Sequence, residues 1–367
     1  MSKGNKMSKK LAMNLKGYLQ IGDKQLERFK DIYRRYRMMY EDPDNCLPMF
    51  IIEVPVENLP TWEERLADPI VMLKAEMDIL RPHLELEDDC VPTVRVEFGA
   101  AQVAVAFGCE MHIPPNNLPG VKRPVLKEAK DVYKMEKPSL DAGWYGKLKE
   151  YTRVFLENLP EGIHIQHPDI QSPFNSAHLI RGNDIFIDFY DEPGALDTLL
   201  DLITDYMIDL IPHLKSMIST DREWFFDWGA MWKGTARISN CSTHMISPDQ
   251  YKHHVMPRDM RLLKTIGGGR MHYCGTSGEV INEFFKVPYI KGLDYDAQHH
   301  DLFSLSERAP KHVTLLHSYW GTNSDETIQR LLKGDWPKKR DIIVQVHVSS
   351  LEEGDQVLKN LRKSVNK

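Results

Sequence analysis

His272 and Cys274 stand two residues apart in the run Met271–Gly275, a stretch whose apolar flanks read as a β-strand. Side chains at i and i+2 of a strand leave the same face, so an imidazole and a thiol would project together. That pair suits a zinc ion, which takes mixed nitrogen and sulfur ligands and in catalytic sites keeps one position open. The plainer reading is a small buried thiol beside a hydrogen-bonded histidine. A catalytic zinc needs a third protein ligand. The strand ends offer His347, His317, Cys241, Asp294 and Asp296, and strand direction favours His347.

The elements that must hold such a site alternate along the chain. Short apolar runs at 48–54, 92–98, 162–166, 235–240, 270–275, 289–295, 312–317 and 341–348 read as eight strands. Helical patterns such as 63–79 and 195–217 lie between them. Alternation of this kind points to an α/β fold with a parallel sheet under helices. Eight strands make a closed (β/α)8 TIM barrel the leading expectation, with an open doubly wound sheet as the alternative. Residues 23–40 carry Leu26, Phe29, Ile32, Tyr33 and Tyr36 at helical spacing and predict an N-terminal helical extension. The expected organisation is a tail and helix over 1–46 and the barrel over 47–367.

In such a barrel, chemistry belongs at the carboxyl ends of the strands. Arg95 and Glu97 alternate with Val94, Val96 and Phe98 there. Asn240 and Cys241 end the fourth strand, Asp294 and Asp296 the sixth, and His317 the seventh. On the last strand Gln345 and His347 oppose Val344, Val346 and Val348, so the two polar residues should look into the barrel mouth. Arg95, Glu97, Gln171, Asn240 and His317 are the residues expected around a substrate. Other signals read as structure. Trp224, Trp228 and Trp232 recur every four residues, as on one helix face. His253-His254 and His299-His300 fall in helical and loop segments and are expected at the surface. Asp88 and Asp89 read as a turn, and Gly267-Gly268-Gly269 as a helix stop rather than a phosphate loop.

Composition bounds the rest. The 367 residues are 42% hydrophobic and 27% charged, which is ordinary for a globular chain able to bury a core. A net charge of −6 gives no pull toward nucleic acid. The basic segment at 1–16 lacks the apolar core of an export signal, and no run is long enough to span a bilayer. Five widely spaced cysteines, an odd number, fit a reducing cytoplasm better than a disulfide framework.

A family resemblance rests on Trp62–Pro69 (WEERLADP), Gly182–Ile203 (GNDIFIDFYDEPGALDTLLDLI), Ile246–Tyr251 (ISPDQY) with Met256-Pro257, and above all Met271–Gly275 (MHYCG). In this order they resemble the uroporphyrinogen decarboxylase superfamily, within it the corrinoid-linked methyltransferase branch. The resemblance spans about 48–350 and implies a (β/α)8 barrel with its site at the carboxyl mouth. The RQAGR and FSDIL segments of the true decarboxylases are missing; the corresponding strands read MFIIEVPVENLP and TVRVEFG. The methyltransferase branch holds zinc with an HxC pair and a distant Cys near the last strand. His272 and Cys274 match the pair, no cysteine follows Cys274, and His347 stands near the third place. The resemblance therefore implies zinc on His272, Cys274 and His347. It further implies methyl transfer between a small methyl donor or thiol acceptor and a corrinoid (cobalamin) on a corrinoid-binding partner protein. The alternative is a decarboxylase or lyase acting on a carboxylated small molecule or tetrapyrrole.

Overall fold

Each of the eight apolar runs forms a parallel strand in a computed structural model that describes Leu15, residues 17–321 and residues 324–365. They are β1 (Met49–Glu53), β2 (Thr93–Val94), β3 (His164–Ile165), β4 (Ala236–Ser239), β5 (Gly269–Tyr273), β6 (Ile290–Asp296), β7 (Thr314–Ser318) and β8 (Ile342–His347). The basic segment at 1–16 lies outside the described residues except for Leu15. No helix among the described residues is long and apolar enough to cross a membrane.

The expected closed barrel is not met. Six strands form one sheet in the order β1-β8-β7-β6-β5-β4, while β2 and β3 pair only with each other. The reason is a β-hairpin, Trp224–Asp227 with Ala230–Lys233, inserted ahead of β4. Its backbone takes the hydrogen bonds that would lengthen the two short strands: Val91 N–H donates to Gly229 O at 2.7 Å and His167 N–H to Phe226 O at 3.0 Å. Across one gap, the Asp88 and Asp89 carboxylates accept Ile52 and Phe50 N–H, each at 2.8 Å. These two aspartates lie in the turn before β2, as the sequence suggests, and are fully buried there as substitutes for a missing strand edge. Across the other gap, Gln171 bridges Ser239.

The same hairpin overturns the helical reading of the three tryptophans. Trp228 (φ 51°) and Gly229 (φ 62°) form the tip between its strands. Positive φ at both central residues is the geometry that joins two antiparallel strands tightly. Trp232 then packs inside the sheet with Met49, Ile51, Leu316 and Ile343.

Helices cover the outer face. We label α1 (Asp23–Glu41), α2 (Pro69–Leu86), α3 (Pro173–Arg181), α4 (Pro193–Ile218), α5 (Met256–Ile266), α6 (Glu326–Leu332) and α7 (Leu351–Ser364). The helix expected over 63–79 is broken at Asp68, whose side chain caps Ile70 N–H ahead of Pro69. α5 stops in a left-handed Gly267, as the glycine run requires. Met271, Tyr273, Val344 and Val346 face the helical layer. α1 seals the opposite end of the sheet with Phe29, Ile32, Tyr36 and Met39.

Candidate metal centre and mouth cavities

Alternation along β5 sends Met271 and Tyr273 into the helical core and leaves Arg270 and His272 on the inner face. The chain leaves the strand at Cys274, where His300 anchors the turn by a 2.7 Å bond to Gly275 O. His300 is therefore buried, not at the surface as expected from sequence. On the neighbouring strand, β4 ends at Ser239, and the chain passes through Asn240 into a single 3-10 turn that starts at Cys241. Asn175 of α3 holds that turn by accepting Ser242 N–H at 2.8 Å.

These two strand ends bring Cys241, His272 and Cys274 together, with their ligand atoms all within 4.8 Å of one another. The two sulfurs approach to 2.6 Å, and Cys274 N–H points at Cys241 Sγ at 3.4 Å. His272 Nδ1 is hydrogen-bonded to Asp294, its register partner on β6. Nε2 is thereby the ring nitrogen not taken by Asp294. A carboxylate behind a histidine in this way fixes its tautomer for ligation. Two thiols and one imidazole form a known catalytic zinc set, with a fourth position left for a reactant.

The charges agree with that chemistry. The hydrogen bond from Cys241 and the nearby His272 outweigh burial and bring the Cys274 thiol down to about 5. The Cys241 thiol is raised by the same shared bond and by burial. Burial would raise the Asp294 carboxyl, but Arg270 and His272 overcome it and hold it at about 2. Burial would lower the His272 imidazole, and Asp294 reverses this so that it ends above its ordinary value.

Beneath the centre lies a floor of buried ion pairs. Asp227 at the hairpin is gripped by Arg95 and Arg270, Arg237 pairs with Asp169, and Arg270 reaches Asp294 at 3.0 Å. The Trp228 ring lies against the Arg270 and Arg237 guanidinium groups at 5.2 and 5.5 Å and meets the His272 ring edge at 5.2 Å. Trp228 also lines both cavities of the mouth. One, of about 520 Å³, holds Asp169, Gln171, Arg237, Cys241, His272 and Cys274. The other, of about 370 Å³, holds Glu53, His83, Cys90, Arg95, Glu97 and His347.

The residues singled out from sequence thus separate. Gln171 shares the cavity of the Cys–His–Cys cluster, where its Oε1 accepts from Asn175 at 2.5 Å. Arg95 and Glu97 line the other cavity, 3.4 Å apart. His347 does face the mouth, but it packs against the Trp320 ring, tilted by 50° with centroids 4.8 Å apart, and is not in the cluster. Cys241 stands in the third place instead. The physical reason is strand order: β4 is hydrogen-bonded to β5, whereas β8 lies three strands away. Asn240 and His317 line neither cavity. Asn240 is buried between Ser172 and Asp259. His317 faces the helical layer, bonded to Tyr295 and to Asp325, which caps α6. Asp169, Asp227, His83 and Cys90 were not singled out as site residues. No local pattern marks them, because they come from segments that meet only in the fold.

A family profile described as Uroporphyrinogen decarboxylase (URO-D) matches residues 61–315. A solved structure titled "methyltransferase from Methanosarcina mazei" superposes with a TM-score of 0.68 at 15% identity, covering 90% of this chain and 98% of that one. At that identity the likeness is one of fold. No curated protein sequence matches the chain. Since the profile match spans more than half of the length and includes Cys241, His272 and Cys274, the chain belongs to the uroporphyrinogen decarboxylase family.

Proposed function

We propose that this protein is a zinc-dependent methyltransferase that moves a methyl group between a small donor or thiol acceptor and a corrinoid carried by a partner protein. The observation that carries the reading is the convergence of Cys241, His272 and Cys274, with Asp294 behind the histidine. The methyltransferase title of the Methanosarcina structure is consistent with it. Bound there, zinc supplies Lewis acidity toward an ether or alcohol oxygen and stabilises a bound thiolate at neutral pH.

The chain's own residues do the rest. Asp294 keeps a proton on His272 Nδ1 and so presents Nε2. Cys274 ionises readily, and Cys241 would release its proton to solvent on ligating the metal. Trp228 walls the centre on the side of the second cavity, where Arg95 and Glu97 would orient the remote part of the reactant. Gln171 would do so beside the metal ligands. The decarboxylase alternative asks for cations facing a carboxylated substrate, yet Arg237 is already engaged by Asp169, and Arg270 by Asp227 and Asp294.

The test is methyl transfer from methylcobalamin to thiols, and from O-methyl donors to reduced corrinoid, with and without zinc. Cys241→Ala, His272→Ala and Cys274→Ala should each lose the zinc equivalent of this centre and lower the rate by about a hundredfold or more, the scale set by removing a group that stabilises developing charge. Full zinc occupancy in all three variants, or undiminished turnover after complete chelation, would end the proposal.

A further inference from the structure

A second set of metal-binding side chains lies in the other mouth cavity, on the far side of Trp228. His83 near the end of α2, Asp88, and Cys90 just before β2 have ligand atoms all within 4.8 Å of one another. All three are buried, at 6%, 0% and 6% exposure, and His83 and Cys90 both line the cavity of about 370 Å³. Glu53, at the end of β1, brings its Oε2 to 3.9 Å from His83 Nε2.

The hydrogen bonds divide these groups into ligands and a positioning residue. Asp88 Oδ2 accepts Ile52 N–H at 2.8 Å and faces His83 Nδ1 at 2.8 Å, while its Oδ1 accepts Cys90 N–H at 3.1 Å. Those three bonds tie Asp88 to two backbone amides and to His83, so it serves as a positioning residue rather than as a ligand. It fixes the tautomer of His83, whose Nε2 lies 3.9 Å from Glu53 Oε2 and whose ring has a nitrogen within 4.8 Å of the Cys90 sulfur. The arrangement repeats the Asp294–His272 device of the first centre with different residues. Glu53 is itself steadied through its other oxygen by Gln345 at 2.6 Å.

We infer that Glu53, His83 and Cys90 form a second site for a borderline divalent cation such as zinc or cobalt(II), separate from the Cys241–His272–Cys274 centre. The charges close, since one thiolate and one carboxylate balance a dication around a neutral imidazole. On binding, Cys90 releases its thiol proton to solvent. One sulfur, one nitrogen and one oxygen donor suit zinc or cobalt(II) better than magnesium or calcium, which prefer oxygen alone. Three protein donors would leave a coordination position for a ligand entering the cavity that Glu53, His83 and Cys90 line.

Metal titration of the full chain tests this. The wild-type protein should bind two equivalents of zinc, and Cys90→Ala and Cys90→Ser should each bind one, with folding checked by circular dichroism. The double variant Cys241→Ala/Cys274→Ala should also keep one equivalent. Loaded with cobalt(II), that double variant should still show a sulfur-to-cobalt charge-transfer band, which Cys90→Ala on the same background removes. A single wild-type equivalent that survives Cys90→Ala, or a double variant that binds no metal, would overturn the inference. A single equivalent lost in Cys90→Ala and kept in the double variant would support this site while removing the zinc from the proposed function.

Discussion

Two buried aspartates show how one residue type is tuned in opposite directions by what surrounds it. Asp294 sits against Arg270 and His272 and stays ionised to about 2 despite burial. Asp259 on α5 is equally enclosed, but its partners are the neutral Asn240 amide at 2.5 Å and the Tyr251 hydroxyl at 3.0 Å, and its Oδ1 has no partner. Burial therefore pushes the Asp259 carboxyl up from 3.8 to about 7. Between those values the folded chain holds a proton that the unfolded chain has released, so this residue's contribution to stability falls as pH rises from about 4 to about 7. Asp259→Asn removes the titration. At pH 8 it should be more stable than the parent by roughly 1–4 kcal/mol, and near pH 4 the advantage should vanish. Urea unfolding at the two pH values checks this, and an equal effect at both would count against it.

At the scale of elements, the inserted hairpin matters most to the site. It interrupts the β2–β3 side of the sheet, supplies Asp227 to three arginines, and sets the Trp228 ring between the two mouth cavities. Its tip depends on Gly229, whose φ of 62° disfavours a side chain and where an added Cβ would lie 2.7 Å from Cys90 Sγ. Gly229→Ala should cost roughly 1–3 kcal/mol, because both the backbone and the thiol must give way. Chemical denaturation should show that loss. Alkylation of Cys90 by a small thiol reagent should rise with it, as the tip lifts off the sulfur.

For the whole molecule, the apolar end of the sheet and the polar mouth divide the work. α1 closes the apolar end through Phe29, Ile32, Tyr36 and Met39, while Arg28 and Arg35 reach Asp88 and Asp89, the aspartates that cap the free edge of β1. The N-terminal helix is thus part of the folded core. Tyr36→Ala should lower the unfolding free energy by roughly 3–5 kcal/mol, the scale for emptying a large buried aromatic position. A loss below about 1 kcal/mol would mean that α1 docks only loosely.

The alternation of apolar runs and helical patterns was enough to locate all eight strands, the N-terminal helix and the glycine stop before β5, because strand and helix periodicity are local properties of the chain. The i, i+2 spacing placed His272 and Cys274 together for the same reason. Spacing could not say that the tryptophans at four-residue intervals turn on a hairpin, since Trp228-Gly229 adopts positive φ only in contact with the strands around it. Nor could it choose Cys241 over His347 as the third member of the cluster. That choice depends on which strand lies hydrogen-bonded beside β5, and neighbours in a sheet are settled by long-range pairing that only the assembled fold provides.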